Sequence, residues 1–252
     1  MDDLDDLGCS PSLLYSELFT TAFTGELDRF KRLAVDYAKV EGIGVKEAME
    51  KLGAKYEKGF LQIAAEGGSL QVCKYLIETL KLDVDSIYGN GQTPLCWAIA
   101  KENHDTVRYL LEKGANADAT IPGNYTPLHY AAKTGDTNIV TSLLSRGARV
   151  DVASMSGTAL LAAAAGGHRD AVKVLLDHGA NPNADSDEMF RPLIKAVFAN
   201  SRECVELLLQ AGADPNAVSY GNTPLIVAAK DGTVDVITLL LEAGADPNYK
   251  MN

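Results

Sequence analysis

The stretch TPLHYAAKTGD, at positions 126–136, decides how the whole chain is interpreted. Variants of it begin at positions 93, 158, 191 and 223, so successive copies start 33, 32, 33 and 32 residues apart. These variants are TPLCWAIAKEN, TALLAAAAGGH, RPLIKAVFANS and TPLIVAAKDGT. A regular period of this length is typical of a repeat architecture rather than of one globular core.

A second marker keeps the same register. A glycine that ends a leucine-rich run occurs once in each period, again with spacings of 33, 32, 33 and 32 residues. These glycines are Gly114, Gly147, Gly179, Gly212 and Gly244. Because two unrelated markers drift together over five copies, the repeat is not a chance similarity.

The residues of each copy predict two short helices and a turn. Threonine offers an oxygen that caps the first helix, and the proline after it has no N–H that needs a partner. The alanine pair lets the first helix pack closely against the second, and glycine ends each helix in a left-handed conformation. The links at 118–124 and 216–222 are rich in Asn, Asp and Gly and predict projecting, hairpin-like fingers.

This pattern resembles the ankyrin repeat. The resemblance implies an all-α fold, an ankyrin-repeat solenoid of about seven helix-turn-helix repeats. We assign residues 1–11 to an acidic tail and 12–252 to the array. The copy at 12–58 is expected to cap the array and to contain an insertion at 37–58 with a short helix of its own. The other repeats are assigned to 59–91, 92–124, 125–156, 157–189, 190–221 and 222–252.

A narrower resemblance concerns the segments at 72–95, 171–188 and 204–216. They are similar to a plant family in which ankyrin repeats precede a tetratricopeptide domain. That resemblance implies a further helical domain of the kind that binds the acidic tails of heat-shock chaperones. The last helix, VDVITLLLEAGADPN, lacks the polar face of a terminal cap, so we expect the natural protein to continue beyond Asn252.

Composition restricts the function and the compartment. A formal charge of −11 disfavours binding to nucleic acid, and no apolar run approaches the length of a membrane span. The first ten residues hold four aspartates and no basic residue, unlike a secretory signal. Cys9, Cys73, Cys96 and Cys204 lie far apart, as reduced thiols do in the cytoplasm or nucleus. We expect a monomer in the cytoplasm, with the nucleus as the alternative compartment.

No pattern predicts catalysis, a metal or a cofactor. The acidic run at 183–188 lacks the glycine and glutamate of a calcium loop, and the Gly-Asn-Gly at 89–91 falls in a finger. His129 is expected to tie neighbouring repeats together through the backbone, and three of the cysteines are expected to be buried. We therefore predict that the chain is not an enzyme.

The residues free to vary in such an array lie at the finger tips and on the first helices. In this chain these positions hold aromatic residues and about one lysine per repeat, which predicts a basic, aromatic groove on an acidic body. The fifth repeat offers only Met155 and alanines there, a low spot in the groove. The expected partner-binding residues are Tyr88, Trp97, Lys101, Tyr125, Tyr130, Lys133, Phe190, Lys195, Phe198, Tyr220 and Lys230.

Two interpretations of this surface stay open. Isolated exposed aromatic residues and a solvated row of lysines are common and need no partner. Recurrence at successive binding positions favours a groove for a protein partner, such as a segment with acidic and apolar residues. The chain is then a scaffold or adaptor, or else the regulatory or targeting region of a larger enzyme or chaperone-linked protein.

Overall fold

The computed structural model describes residues 11–184 and 191–249, which form helix pairs in two compact units. Unit 1 ends at Pro122 and unit 2 begins at Gly123. The helices of unit 1 are α1 Pro11–Thr24, α2 Leu27–Glu41, α3 Val45–Lys55, α4 Phe60–Glu66, α5 Leu70–Lys74, α6 Pro94–Ala100 and α7 His104–Glu112. Those of unit 2 are α8 Pro127–Thr134, α9 Thr137–Ser145, α10 Ala159–Ala165, α11 Arg169–Asp177, α12 Pro192–Phe198, α13 Arg202–Gln210, α14 Pro224–Asp231 and α15 Val234–Glu242.

The predicted fold class, an all-α array of ankyrin helix pairs with fingers, is confirmed in each unit. Within the described ranges the only β-structure consists of isolated antiparallel bridges, and each lies at the base of a finger. They include the pairs of Tyr88 with Gln92, Ser154 with Gly157, and Ser219 with Asn222. The fingers are therefore turns closed by one bridge rather than extended hairpins.

The threonines of the motif cap the first helices as predicted. Thr93, Thr158 and Thr223 each accept a hydrogen bond from the backbone N–H three residues later, at 3.3–3.4 Å. Arg191 occupies this position in the copy that lacks threonine, and its side chain makes no capping bond at α12. Proline remains at the first turn there, so α12 keeps the fixed backbone that favours a helix start.

Small apolar side chains hold neighbouring first helices together. In unit 2, α10 packs between α8 and α12, and α12 packs against α14. The alanine pairs at 131–132 and 163–164 are fully buried in these contacts. Leu128 and Leu160, beside them in the motif, are also buried and complete the apolar layer.

The segment between the first two repeats differs in detail from the assigned boundaries. The additional short helix is present as α3, but α2 extends to Glu41, into the assigned insertion. Tyr37 and Ala38 are buried and continue the apolar stripe of α2, which Gly42 then ends in a left-handed conformation. In the next repeat, α5 continues into a π-helical turn at Tyr75–Thr79, which accommodates the extra residue of that copy.

Side chains in the loops that follow the second helices connect successive repeats. In unit 2 the backbone N–H groups of Asn181 and Asp214 bond to Asp151 and Asn183 at 2.8–3.2 Å. The N–H of Asp246 bonds to Asn216 Oδ1 in the same way, at 2.7 Å. These bonds form an Asx ladder, in which one repeat satisfies a backbone donor of the next.

The last repeat is less well covered than the one before it. Three apolar positions are buried in α12 and α13 but partly exposed at the equivalent places of α14 and α15. The equivalent pairs are Leu193 and Leu225, Ile194 and Ile226, and Val205 and Ile237. Because a repeat is stabilised mainly by its neighbours, this loss of cover weakens α14 and α15.

We expect amide hydrogens of α14 and α15 to exchange faster than those of α10 and α11 in the same unit. The physical reason is that local opening costs least where few apolar contacts are broken. Hydrogen exchange followed by mass spectrometry on the intact chain measures both helix pairs in one sample. Equal protection of the two pairs would contradict the prediction.

Candidate partner-binding surfaces

An open pocket of about 530 Å³ lies on the first-helix side of unit 2. Its floor is formed by small and apolar residues of the fifth repeat, and lysines of α8 and α12 border it. The lining residues are Tyr125, His129, Lys133, Met155, Ser156, Leu161, Ala162, Ala165, Gly166 and Lys195. The predicted low spot is therefore the floor of a pocket that has one lysine of a neighbouring repeat on each side.

Finger residues fix the rim of this pocket. The Tyr125 hydroxyl is hydrogen-bonded to Ser156 Oγ, and the Tyr125 ring meets the His129 ring edge-on at 5.5 Å between centroids. The Met155 N–H donates to Gly123 O at 3.0 Å, while 83% of the Met155 side chain is exposed. The rim thus combines a fixed aromatic wall with a flexible thioether, a side chain that adapts to irregular apolar surfaces.

His129 joins two repeats beneath the pocket, as predicted. The Thr126 N–H donates to His129 Nδ1 at 3.1 Å, so Nδ1 is an acceptor. His129 Nε2 lies 3.0 Å from Gly157 O and must therefore carry the proton that it donates. These two bonds use both ring nitrogens, and the buried ring acts as a structural link.

His168 fixes the backbone that borders the same pocket. Its ring lies against Gly135 and Gly166, where an added Cβ would approach ring atoms to 2.4–2.5 Å. His168 Nε2 is 3.0 Å from the carbonyl oxygen of Lys133. The end of α8 is consequently fixed, while the Lys133 side chain remains exposed.

In unit 1, Trp97 has a packing partner that the sequence did not predict. The Lys58 ammonium lies 4.4 Å from the centroid of the half-buried Trp97 ring and 5.4 Å from that of Phe19. Glu66 accepts a hydrogen bond from Lys58 Nζ at 2.7 Å, and Lys101 Nζ lies 3.7 Å from the same carboxylate. Trp97 therefore has a packing contact within unit 1, and Lys101 is paired with an acid.

Tyr88 is likewise supported by its surroundings. Its ring lies over Gly53 and Gly59, and a Cβ on Gly59 would approach it to 2.5 Å. The glycines at the end of α3 and before α4 thus make room for this ring. Burial raises the pKa of the half-buried Tyr88 hydroxyl, and the nearby Glu50 carboxylate adds to the effect. Tyr88 belongs to the packing between α3 and its finger.

The other predicted residues differ in exposure. Phe198 and Tyr220 are exposed over 60% and 64% of their surfaces, and Tyr130 and Lys195 are half-buried. Lys230 Nζ donates to Asn222 Oδ1 at 2.8 Å, within its own repeat. Phe190 lies outside the described residues. The predicted set is thus divided between the two units, and the unit 2 pocket gathers Tyr125, Lys133 and Lys195.

Sequence reasoning missed an aromatic row on α1. Tyr15, Phe19 and Phe23 are spaced by four residues, so they share one face of the helix. Tyr15 stacks on Tyr56 with centroids 3.8 Å apart, and Phe19 stacks with Phe23 at 6.3 Å. The spacing of four residues is the signal of this row that the sequence carries.

The three cysteines in the described parts of the chain are buried. Burial raises the pKa of the Cys73 thiol to about 12 and also raises those of Cys96 and Cys204, so these thiols are poor nucleophiles. No three potential metal ligands converge in the ranges 11–184 and 191–249. None of the helices described there is both long enough and apolar enough to cross a membrane.

The chain matches the family model for ankyrin repeats over residues 25–121, 61–154, 115–186, 153–219 and 186–251. It is 36% identical over 135 residues to ankyrin repeat protein FPV031 of fowlpox virus, covering 50% of this chain and 40% of that protein. It also resembles the solved ankyrin repeat domain of human ASB11, with a TM-score of 0.68 and 29% identity. That match covers 76% of this chain and 86% of the solved one.

A further relative is an enzyme. The palmitoyltransferase AKR1 of the yeast Lachancea kluyveri is 37% identical over 68 residues, which are 27% of this chain and 9% of that protein. The chain thus spans less than half the length of both curated relatives. The repeat fold itself is in general a non-catalytic interaction fold, and it also occurs as a part of enzymes.

We expect Trp97→Ala to lower the free energy of unfolding by about 2 kcal/mol, roughly half the loss for a fully buried tryptophan. The reason is that the half-buried ring contacts the Lys58 ammonium and lies beside the core of unit 1. Phe198→Ala is the matched control, because its exposed ring should change stability by no more than about 0.5 kcal/mol. Urea unfolding followed by circular dichroism measures both, and equal losses would refute the assignment.

Proposed function

This chain belongs to the ankyrin-repeat family, and on that basis we propose that it is a non-catalytic scaffold or adaptor that holds a protein partner. Ankyrin repeats generally mediate protein–protein interactions. The observation that carries the proposal for this chain is the unit 2 pocket, with its apolar floor between Lys133 and Lys195. A rim of fixed aromatic and exposed apolar side chains around such a floor is the composition of an interaction site.

The charges of this pocket support a particular chemistry of the partner. The body of the protein carries a formal charge of −11, so its long-range field repels acidic molecules. Lys133 and Lys195 place positive charges on either side of Leu161, Ala162 and Ala165. A partner segment with an apolar side chain flanked by aspartate or glutamate satisfies both features. The apolar group covers the alanine floor while the carboxylates meet the lysines.

Other predicted residues complete the proposed surface. Tyr130 lies next to Tyr125, with ring centroids 6.2 Å apart, and extends the aromatic wall. Phe198 on α12, Tyr220 at a finger tip and Lys230 on α14 are exposed in later repeats of the same unit. We propose that they contact a longer partner segment, and that the chain works as a monomer in the cytoplasm or nucleus.

A second candidate is that the chain is the regulatory or targeting region of a larger protein. Its support is the similarity to part of a palmitoyltransferase, together with the partly exposed apolar positions of α14 and α15. A continuation with a tetratricopeptide domain would make it a chaperone-linked adaptor. In either case the pocket would recruit the substrate or partner on which the other domain acts.

Selection from a displayed library of random peptides tests the proposed recognition. We expect the selected peptides to combine an apolar residue with aspartate or glutamate, and to bind more weakly as salt rises. Lys133→Glu and Lys195→Glu should each weaken binding by about tenfold or more, because they place like charges opposite the peptide. Fluorescence anisotropy with labelled peptide measures the affinities.

Two further variants control this experiment. Lys173→Glu makes the same charge change on α11, where Lys173 pairs with Asp177 at 2.8 Å and does not line the pocket. It should leave the affinity almost unchanged. Ala165→Leu fills the exposed pocket floor without touching a buried position, and it should abolish binding. Basic peptides, or equal effects of Lys133→Glu and Lys173→Glu, would exclude this recognition.

A further inference from the structure

A second pocket, in unit 1, has the opposite chemistry. It measures about 320 Å³ and lies where the end of α3 meets the finger before α6. Its walls are aromatic rings and oxygen-bearing side chains, and it also contains one lysine. The lining residues are Tyr56, Glu57, Lys58, Gln62, Tyr88, Gly89, Asn90 and Trp97. Its volume is at the lower end of the range of sites that hold a small ligand.

One buried acceptor in this pocket is unused. The Gln62 side chain is 98% buried, and its amide N–H donates to Ser86 O at 2.8 Å. Gln62 is a lining residue of the pocket, and the bond to Ser86 uses the nitrogen of its amide and leaves the oxygen, Oε1, for another partner. Within residues 11–184 and 191–249 this oxygen has no hydrogen-bond partner. An unpaired buried acceptor is costly, and a ligand with N–H donors would relieve that cost.

The pocket already holds a cationic group of the chain itself. The Lys58 ammonium lies between the Trp97 and Phe19 rings and donates to Glu66. Two aromatic faces and a carboxylate constitute a cation site, since ring faces and carboxylates both attract positive charge. The backbone beside this lysine is fixed, because its N–H donates to Gly53 O at 3.0 Å. Only its flexible side chain has to move for the site to open.

We propose that this pocket binds an arginine side chain of a protein partner, and that Lys58 occupies the cation site until the arginine replaces it. A guanidinium offers five N–H donors in one plane and can bond to two acceptors at once, which here would be Gln62 Oε1 and the carboxylate of Glu66, four residues further along α4. Lysine supplies three donors at one point and leaves the Gln62 oxygen unpaired, as Lys58 does. Lys101 stays beside Glu66 in both states, so the net charge of the site does not change in the exchange.

This proposal goes beyond the recognition proposed for unit 2 and uses none of its residues. A basic partner side chain suits an acidic protein, and the long-range field would favour its approach. Lys58 acts as an internal competitor, which lowers the apparent affinity for arginine by the fraction of time that it fills the site. It thereby prevents weakly basic segments from binding.

The only tryptophan of the chain, Trp97, reports directly on this site. N-acetyl-arginine methylamide is the probe, and the citrulline analogue is the control with nearly the same shape and no charge. Fluorescence titrations compare the wild-type chain with Lys58→Met, which removes the competing ammonium and retains an unbranched side chain. Lys173→Met changes the net charge equally on α11 of unit 2 and serves as the matched variant.

We expect the arginine probe to change Trp97 fluorescence saturably, and the citrulline analogue to have no effect. Lys58→Met should bind the probe about tenfold more tightly than wild type, the gain for removing a competitor that fills nine-tenths of the sites. Lys173→Met should match wild type. Equal responses to arginine and citrulline, or equal affinities of Lys58→Met and Lys173→Met, would overturn the proposal.

A second measurement covers the case in which Lys58→Met does not fold. The indole N–H of Trp97 gives a single resonance in the wild-type spectrum of a ¹⁵N-labelled chain. The arginine probe should shift this resonance in proportion to occupancy, whereas citrulline should not. Absence of a shift at saturating probe would refute the site, whatever the peptide selection shows for unit 2.

Discussion

Close approach of neighbouring first helices is the constraint on which the rest of the structure depends. In unit 2 the alanine pairs at 131–132 and 163–164 are fully buried between α8, α10 and α12. Side chains of this size permit close contact, and Leu128 and Leu160 beside them complete the apolar layer. The residues available for recognition are therefore those that the packing excludes, and their positions follow from the packing.

The two pockets show how different chemistry arises on one repeated frame. In unit 2 the pocket has a floor of alanine and leucine, and lysines stand at its edges. In unit 1 the additional helix α3 brings Lys58, Gly53 and Gly59 beside the finger, and they enclose an aromatic pocket with an unused amide oxygen. The regular repeats of unit 2 form the open pocket, whereas the insertion in unit 1 contributes to a pocket whose acceptors and rings select for a cationic group.

Much of the fold could be predicted from the sequence, because each repeat carries the same residues for capping, ending and packing its helices. The threonine caps and the glycine stops follow from residues no more than a few positions apart, and the linking role of His129 follows from its place in the repeat. The site could be predicted only in part. The lysines of the unit 2 pocket and its alanine-rich floor could be predicted from the sequence, since they occupy fixed positions of the repeat.

The contacts of Trp97 and Tyr88 could not be predicted, because their partners come from the insertion. No periodicity fixes where Lys58 or the glycines at 53 and 59 lie relative to α6. Gln62 lies at a buried position of α4, and only the structure shows that its side-chain oxygen Oε1 has no hydrogen-bond partner among the described residues. The aromatic row on α1 had a visible spacing, yet its stacking on Tyr56 again depends on the insertion.

The Asx ladder has a consequence for how the protein responds to force. Each of its bonds in unit 2 joins residues only about one repeat apart, such as Asp151 and Asn181. Contacts of such short sequence separation can form and break without the folding or unfolding of residues that are distant in sequence. A pull on the end of unit 2 would therefore peel helix pairs away one after another, each with a small extension, and they could return in the same order. We therefore expect unit 2 to extend gradually and reversibly under force, rather than to unfold in one abrupt event at a single force.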